Sequence, residues 1–291
     1  MLKASGPLLF AANHPNSFLD GVILTTLLEN DLYSLARGDA FANKRFRRVL
    51  LWLRQLPVYR TSEGKENLHS NYDTFRACHE VFKKNGLVLI FSEGRCINEW
   101  HLRPLKKGTA RLALSTWQQG IDLTIVPVGF NYNPFRNFGK NVFINFGEPI
   151  KKELVTSEPT EGRQLLAFNN ALRQQLQTLV FEIDASDKEA LRQQLSVRQP
   201  ALKKVLLAPL AALGLVLHAP LYFPVKALAA NFFDNDHFDS IMACLQMLIY
   251  PFYLGLLCIA AGVLFGWSWA LVVFFIAPLS AWALVQVKNQ V

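Results

Sequence analysis

Leu8-Leu9-Phe10-Ala11-Ala12-Asn13-His14-Pro15-Asn16-Ser17-Phe18-Leu19-Asp20 runs from an apolar stretch, through a polar turn, into a segment of helical character. The five apolar residues follow a Gly6-Pro7 turn and read as a short buried strand. Ser17 stands where an N-cap belongs, ahead of a helix predicted over Phe18–Asn30. A strand that enters a helix through a tight turn is the repeating unit of a layered α/β fold.

The alternation continues along the chain. Leu32–Ala36, Leu56–Arg60, Leu87–Phe91, Leu123–Gly129 and Val142–Phe146 read as strands, of which Leu87-Val88-Leu89-Ile90-Phe91 is the strongest. A basic helix is expected over Asn43–Leu53, a second over 67–84 after a polar loop at 61–66, and a third over Thr109–Gln119. Asn85-Gly86 is the stop signal of the second. The pattern predicts an α/β protein with a mixed, largely parallel central sheet flanked by helices. In such sheets the functional loops follow the carboxyl ends of strands. Helices over Arg163–Ile183 and Lys188–Gln199 then lead to an apolar tail.

Charge and apolarity separate along the chain. Residues 201–291 hold four basic residues (Lys203, Lys204, Lys226, Lys288) and three acidic ones (Asp234, Asp236, Asp239), so seven of the eight net positive charges lie in residues 1–200. Ile241–Phe265 and Trp267–Val285 are uncharged and long enough to span, since about 20 apolar residues cross a bilayer core. Gly266 separates them, so they read as a tight hairpin. Val205–Val225 is interrupted by Pro209, His218, Pro220 and Pro224, and either spans with a kink or lies re-entrant or interfacial. The organisation expected is a core at 1–150, a helical extension at 151–200 and a membrane region at 201–291 with two or three apolar helices. A basic globular part beside an apolar tail suits a lipid surface. Lys203 and Lys204 place the start of the tail, and the core before it, on the cytoplasmic face.

Several classes are disfavoured. Cys78, Cys96, Cys244 and Cys258 form no CxxC pair, which points to a reducing compartment without disulfides. Met1 to Gly6 has neither the length nor the apolarity of a signal peptide. There is no GxSxG elbow, P-loop or GxGxxG. The six histidines lack ligand spacing, so neither a metal nor another cofactor is expected. The aromatics sit in apolar runs rather than among basic residues, which argues against nucleic acid.

Three groups carry chemistry. His14 and Asp20, at a strand-to-helix turn, are the residue types of a general base and the carboxylate that orients it. Ser17-x-x-Asp20 is equally a capping box, in which Asp20 serves the helix and His14 is a loop residue. The second group follows the strongest strand: Glu93-Gly94-Arg95, then Arg103, Lys106 and Lys107 ahead of a helix. Glycine admits a ligand close to the backbone, a helix N-terminus favours an anion, and the basic side chains offer charge-assisted bonds to phosphate. A solvated basic loop is the alternative. The third group is Arg37 and Arg60, each following a strand. Val126-Pro127-Val128 either lines an apolar slot or is plain core strand.

Asn13-His14 through Asp20, Leu56-Pro57-Val58-Tyr59-Arg60, Phe91-Ser92-Glu93-Gly94-Arg95 and Val126-Pro127-Val128 occur in the order of the four sequence blocks of the PlsC-like glycerolipid acyltransferase superfamily, which the chain resembles over roughly residues 6–150. That superfamily includes glycerol-3-phosphate and 1-acylglycerol-3-phosphate acyltransferases, and the apolar tail is similar to the C-terminal membrane segments of some of them. The resemblance implies acyl transfer in phospholipid synthesis, from acyl-CoA or acyl-carrier protein as co-substrate to glycerol 3-phosphate or its monoacyl form. His14 would be the base and Asp20 its partner. Arg60, Glu93 and Gly94 would handle the acceptor phosphate, with Arg37, Lys106 and Lys107 as further basic positions. Two departures stand out. The usual His-x4-Asp is His-x5-Asp here, so the extra residue must be absorbed by the turn around Pro15-Asn16, since one residue on a helix is about 100° of rotation. Phe-Pro-Glu-Gly-Thr-Arg becomes Phe91-Ser92-Glu93-Gly94-Arg95, which brings the arginine one place early and leaves Arg103 as its substitute. An amino-lipid or lysophospholipid acceptor is a second reading. A non-catalytic, membrane-tethered lipid-binding protein is a third.

Overall fold

A computed structural model describes residues 2–59, 70–136, 138–232 and 236–288. Two compact units emerge, one made of 1–131 with 143–184 and the other of 132–142 with 185–291.

In the first unit the elements alternate as β1 (Leu8–Ala12), α1 (Phe18–Leu27), β2 (Leu32–Arg37), a short 3₁₀ turn (Gly38–Phe41), α2 (Lys44–Trp52), β3 (Gln55–Val58), α3 (Ser70–Lys83), β4 (Leu87–Phe91), α4 (Gly108–Gln118), β5 (Thr124–Asn133) and β6 (Asn141–Phe146), followed by α5 (Lys152–Thr156) and α6 (Glu161–Leu179). β5 and β6 run from one unit's residues into the other's. The six-stranded sheet has the order β3-β2-β4-β1-β5-β6 and is mixed and largely parallel. β1 lies between β4 and β5, parallel to both, with Ala12 level with Phe91 and Val128. The chain winds from β1 out to β2 and β3, and then returns through β4 to β1's side. Loops after β1, β2 and β4 therefore emerge at one end of the sheet, where α/β folds place their ligands.

The apolar runs that predicted β1 and β4 are strands buried on both faces, as parallel strands between helical layers should be. Leu9 and Ala11 share a face with Val88 and Ile90, and that face packs with Leu112 and Trp117 of α4 and Phe168, Leu172 and Leu176 of α6. Trp117 meets Phe168 edge-on at 6.3 Å. β5 is buried along nearly its whole length, which is how a core strand behaves.

Three helices end several residues short of the sequence expectation, where tertiary contacts take over their last turns. α1 ends at Leu27 rather than Asn30, because Leu2 forms a parallel bridge with Leu28 and takes the carbonyl of Leu27 at 2.6 Å. α6 ends at Leu179 rather than Ile183, because the buried Asn131 side chain donates to the Leu179 carbonyl and accepts from Phe181 N–H. α7 (Lys188–Leu195) is shorter than predicted, and the carbonyl of Leu195 accepts from the side chains of Asn133 and Asn141. The predicted loop at 61–66 and the first residues of the helix expected over 67–84 lie outside the described residues.

The second unit carries α8 (Ala201–Phe232), α9 (Phe238–Phe265) and α10 (Trp267–Val287), three helices long and apolar enough to cross a membrane. α8 runs unbroken through Pro209, Pro220 and Pro224. Gly266 alone separates α9 from α10. Ala211 and Gly214 of α8 and Ala277, Ser280 and Ala283 of α10 are buried small residues. A Cβ at Gly214 would strike the Ser280 backbone, so its absence lets the two helices approach closely, as small residues do between membrane helices. Lys140 forms a largely buried ion pair with Asp239 in the same unit.

Candidate active site

The His14 turn leaves the carboxyl end of β1 and enters α1 at Phe18. Residues 15–17 absorb the extra residue of the His-x5-Asp spacing, and Ser17 does so with φ 51°. That value is uncommon for a residue with a side chain. Ser17 occupies the N-cap position, yet it makes no side-chain capping bond to the helix, and its N–H donates to the Sγ of Cys96 at 2.9 Å.

His14 and Asp20 meet. Nδ1 of His14 lies 2.8 Å from Oδ2 of Asp20, a carboxylate fully removed from solvent. The same oxygen accepts the N–H of Asn16 at 3.0 Å. With Asp20 as the acceptor, Nδ1 carries the proton and Nε2 is the basic nitrogen. The imidazole stacks on Phe91, the last residue of β4, with ring centroids 3.7 Å apart and planes 14° from parallel. His14 keeps 15% of its side chain exposed. It is thus fixed by a carboxylate on one side and an aromatic face below.

The loop after β4 clamps the His14 turn. Ile97 N–H donates to the His14 carbonyl at 3.2 Å, and Asn98 donates to that of Pro15 at 2.7 Å. Glu93 uses both oxygens on backbone: Oε2 accepts from His14 N–H and Oε1 from Arg103 N–H, each at 2.9 Å. Glu93 is 5% exposed, and burial pushes its carboxyl above the usual range, opposed by the two N–H bonds and by the nearby charges of His14 and Arg103. Glu93, which the family resemblance assigns to the acceptor phosphate, binds two loops together. Gly94 follows with φ 68°, in the left-handed region that suits glycine, and a Cβ there would lie 3.1 Å from Cγ of Lys106.

The predicted basic residues are distributed unevenly. Arg103 reaches back to Glu99 at 2.8 Å. Arg95, Lys106 and Lys107 are exposed and form no ion pair among the described residues. Lys106 N–H is bonded to the Ser92 carbonyl and the Thr109 hydroxyl to that of Ser92, which ties the start of α4 to the same loop. Glu93, Gly94, Arg95, Arg103, Lys106 and Lys107 thus belong to one loop system contacting the His14 turn. Arg37 ends β2, on the other side of β4 from β1, and pairs with Asp39. Arg60 lies outside the described residues.

Sequence reasoning missed two supports. Asn13 is buried and forms a two-way bond with the backbone of Phe130, donating to its carbonyl at 3.0 Å and accepting its N–H at 2.7 Å. Phe91 read as a strand end, and only the pairing of β4 with β1 brings it beneath the imidazole. An asparagine directly after a buried strand was the available signal for the first. Asn13→Ala strands two buried backbone groups, so a loss of about 1–3 kcal/mol is expected in a denaturation series of the purified protein.

A histidine–carboxylate pair thus stands at the carboxyl end of a central parallel strand, beside a loop system that carries exposed basic side chains. The family described as Acyltransferase matches residues 1–131, which contain the whole of this site. A stretch of 84 residues is 37% identical to Glycerol-3-phosphate O-acyltransferase 1 of Saccharomyces cerevisiae, covering 26% of this chain and 11% of the yeast protein. The chain thus spans about a tenth of that relative's length. Residues 1–131 are similar to the Acyltransferase family.

Proposed function

We propose that the chain is a membrane-bound O-acyltransferase. It moves a fatty acyl group from a thioester, acyl-CoA or acyl-carrier protein, to the hydroxyl of glycerol 3-phosphate or 1-acylglycerol 3-phosphate. The observation that carries this reading is the 2.8 Å contact between His14 Nδ1 and Asp20, which leaves Nε2 as the base.

Nε2 takes the proton of the acceptor hydroxyl as its oxygen attacks the thioester carbonyl. Asp20 stabilises the imidazolium that forms. When the tetrahedral intermediate collapses, the C–S bond breaks and the imidazolium returns its proton to the departing sulfur. The products are an ester and a free thiol, and no acyl-enzyme forms. Arg95, Lys106 and Lys107, with the N-terminus of α4, offer the acceptor phosphate its charge-assisted bonds. Arg37, Arg60 and Arg103 are further candidates, and Glu93 and Gly94 act by shaping the loop. The three apolar helices hold the site at a leaflet, and Lys203 and Lys204 favour its cytoplasmic face.

Purified protein is expected to release CoA thiol from acyl-CoA only when glycerol 3-phosphate or its monoacyl form is present. Absence of release with either acceptor, and with acyl-carrier protein as donor, would sink this reading. Release with lysophospholipids alone would move the acceptor to a different lipid.

A further inference from the structure

We infer that α2 is a membrane-surface element that beds its apolar stripe in an anionic leaflet. The helix has the sequence Lys44-Arg45-Phe46-Arg47-Arg48-Val49-Leu50-Leu51-Trp52 and connects two adjacent parallel strands, β2 and β3. Such a crossover helix ordinarily lays its apolar stripe on the sheet. This one buries none of its residues. At 100° per residue, Phe46, Val49 and Leu53 fall on one side, and they are 65%, 52% and 50% exposed. Lys44, Arg45, Arg47 and Arg48 fall on the other. Trp52 is 78% exposed and falls among the cations, between Arg48 and Arg45, where an amphipathic ring settles at headgroup level.

The charge decides between occupants. A second copy of this chain would bring four more cations to the same contact, so self-association along this stripe is opposed. An anionic leaflet takes the apolar side chains between its acyl chains and the four cations among its headgroups. The same chain carries three helices long and apolar enough to cross a membrane. The helix also leaves the carboxyl end of β2, the end of the sheet at which His14 follows β1.

The full chain in nanodiscs tests this. One set contains zwitterionic lipid alone and one adds about 30% anionic lipid, both doped with lipid brominated high on its acyl chains. Subtracting the emission of Trp52→Phe from that of the wild type isolates Trp52 among the six tryptophans. Bromolipid is expected to quench that component about twofold or more in anionic discs and less in zwitterionic ones. Combined Phe46→Ser, Val49→Ser and Leu53→Ser should abolish the quenching. Neutralising the four cations to glutamine should erase the difference between the two lipids. These residues are exposed, so the variants should fold. Unchanged Trp52 emission in both lipids would overturn the inference, as would shielding from an aqueous quencher that appears only as protein concentration rises.

Discussion

His14→Ala is expected to lower turnover by about 10²–10⁴-fold, the range that a positioned general base supplies, while the melting curve stays close to wild type. The separation of effects follows from the geometry. The bonds that clamp the turn to Glu93 and Ile97 use the backbone of residue 14, so the alanine variant keeps them. What it loses is Nε2 and the stacking on Phe91. Asp20→Asn should fall within the same range for a different reason. An asparagine that turns its amide oxygen to the imidazole still accepts from Nδ1, but it cannot stabilise the imidazolium. One that turns its nitrogen would hold the wrong tautomer. Because the two residues act as one unit, the double variant should be little worse than the poorer single one. Thiol release under acceptor saturation measures all three. Full activity in His14→Ala would leave the pair with only a structural role and end the proposed mechanism.

The parts of the fold that the sequence announced are those with local causes. β1 and β4 are apolar runs because both faces of a parallel sheet are covered, and their bounds are as expected. The His14–Asp20 pair was legible as a spacing. What was not legible is how the turn accommodates it, since nothing in the sequence requires a serine at φ 51°. The supports of the site are long-range and leave no periodic trace. Asn13 bonds a residue 117 positions away, and Glu93 one 79 positions away. Glu93 is the instructive residue. The family resemblance assigns it to the acceptor phosphate, and in the structure its two oxygens accept from the backbone of His14 and Arg103. At α8 the sequence left a kinked span and a re-entrant or interfacial segment both open. The helix continues through all three prolines, which a helix tolerates when neighbouring groups satisfy the freed carbonyls.

The largest effect outside the pair itself is expected at Glu93. Glu93→Ala removes the acceptor from the amides of His14 and Arg103 together, at about 1–3 kcal/mol for each group left unpaired in the interior. The His14 turn and the basic loop then lose a shared anchor, and a displacement near 1 Å of the base is enough for a loss of about 10²-fold in turnover. Glu93→Gln separates charge from shape, since it keeps the volume and one of the two acceptors. Burial raises the Glu93 carboxyl above its ordinary range, so between its unfolded and folded values the folded chain binds more proton than the unfolded chain. Its contribution to stability is therefore greatest at acid pH and declines as pH rises through the raised value. Melting curves of wild type and Glu93→Gln across mildly acidic to neutral pH should show the wild type losing ground to the glutamine variant as pH rises. A difference that grows in the opposite direction would mean that the two amides outweigh burial and that the carboxylate is the favoured form in the fold. Full turnover in Glu93→Ala would show that the base holds its position without this anchor.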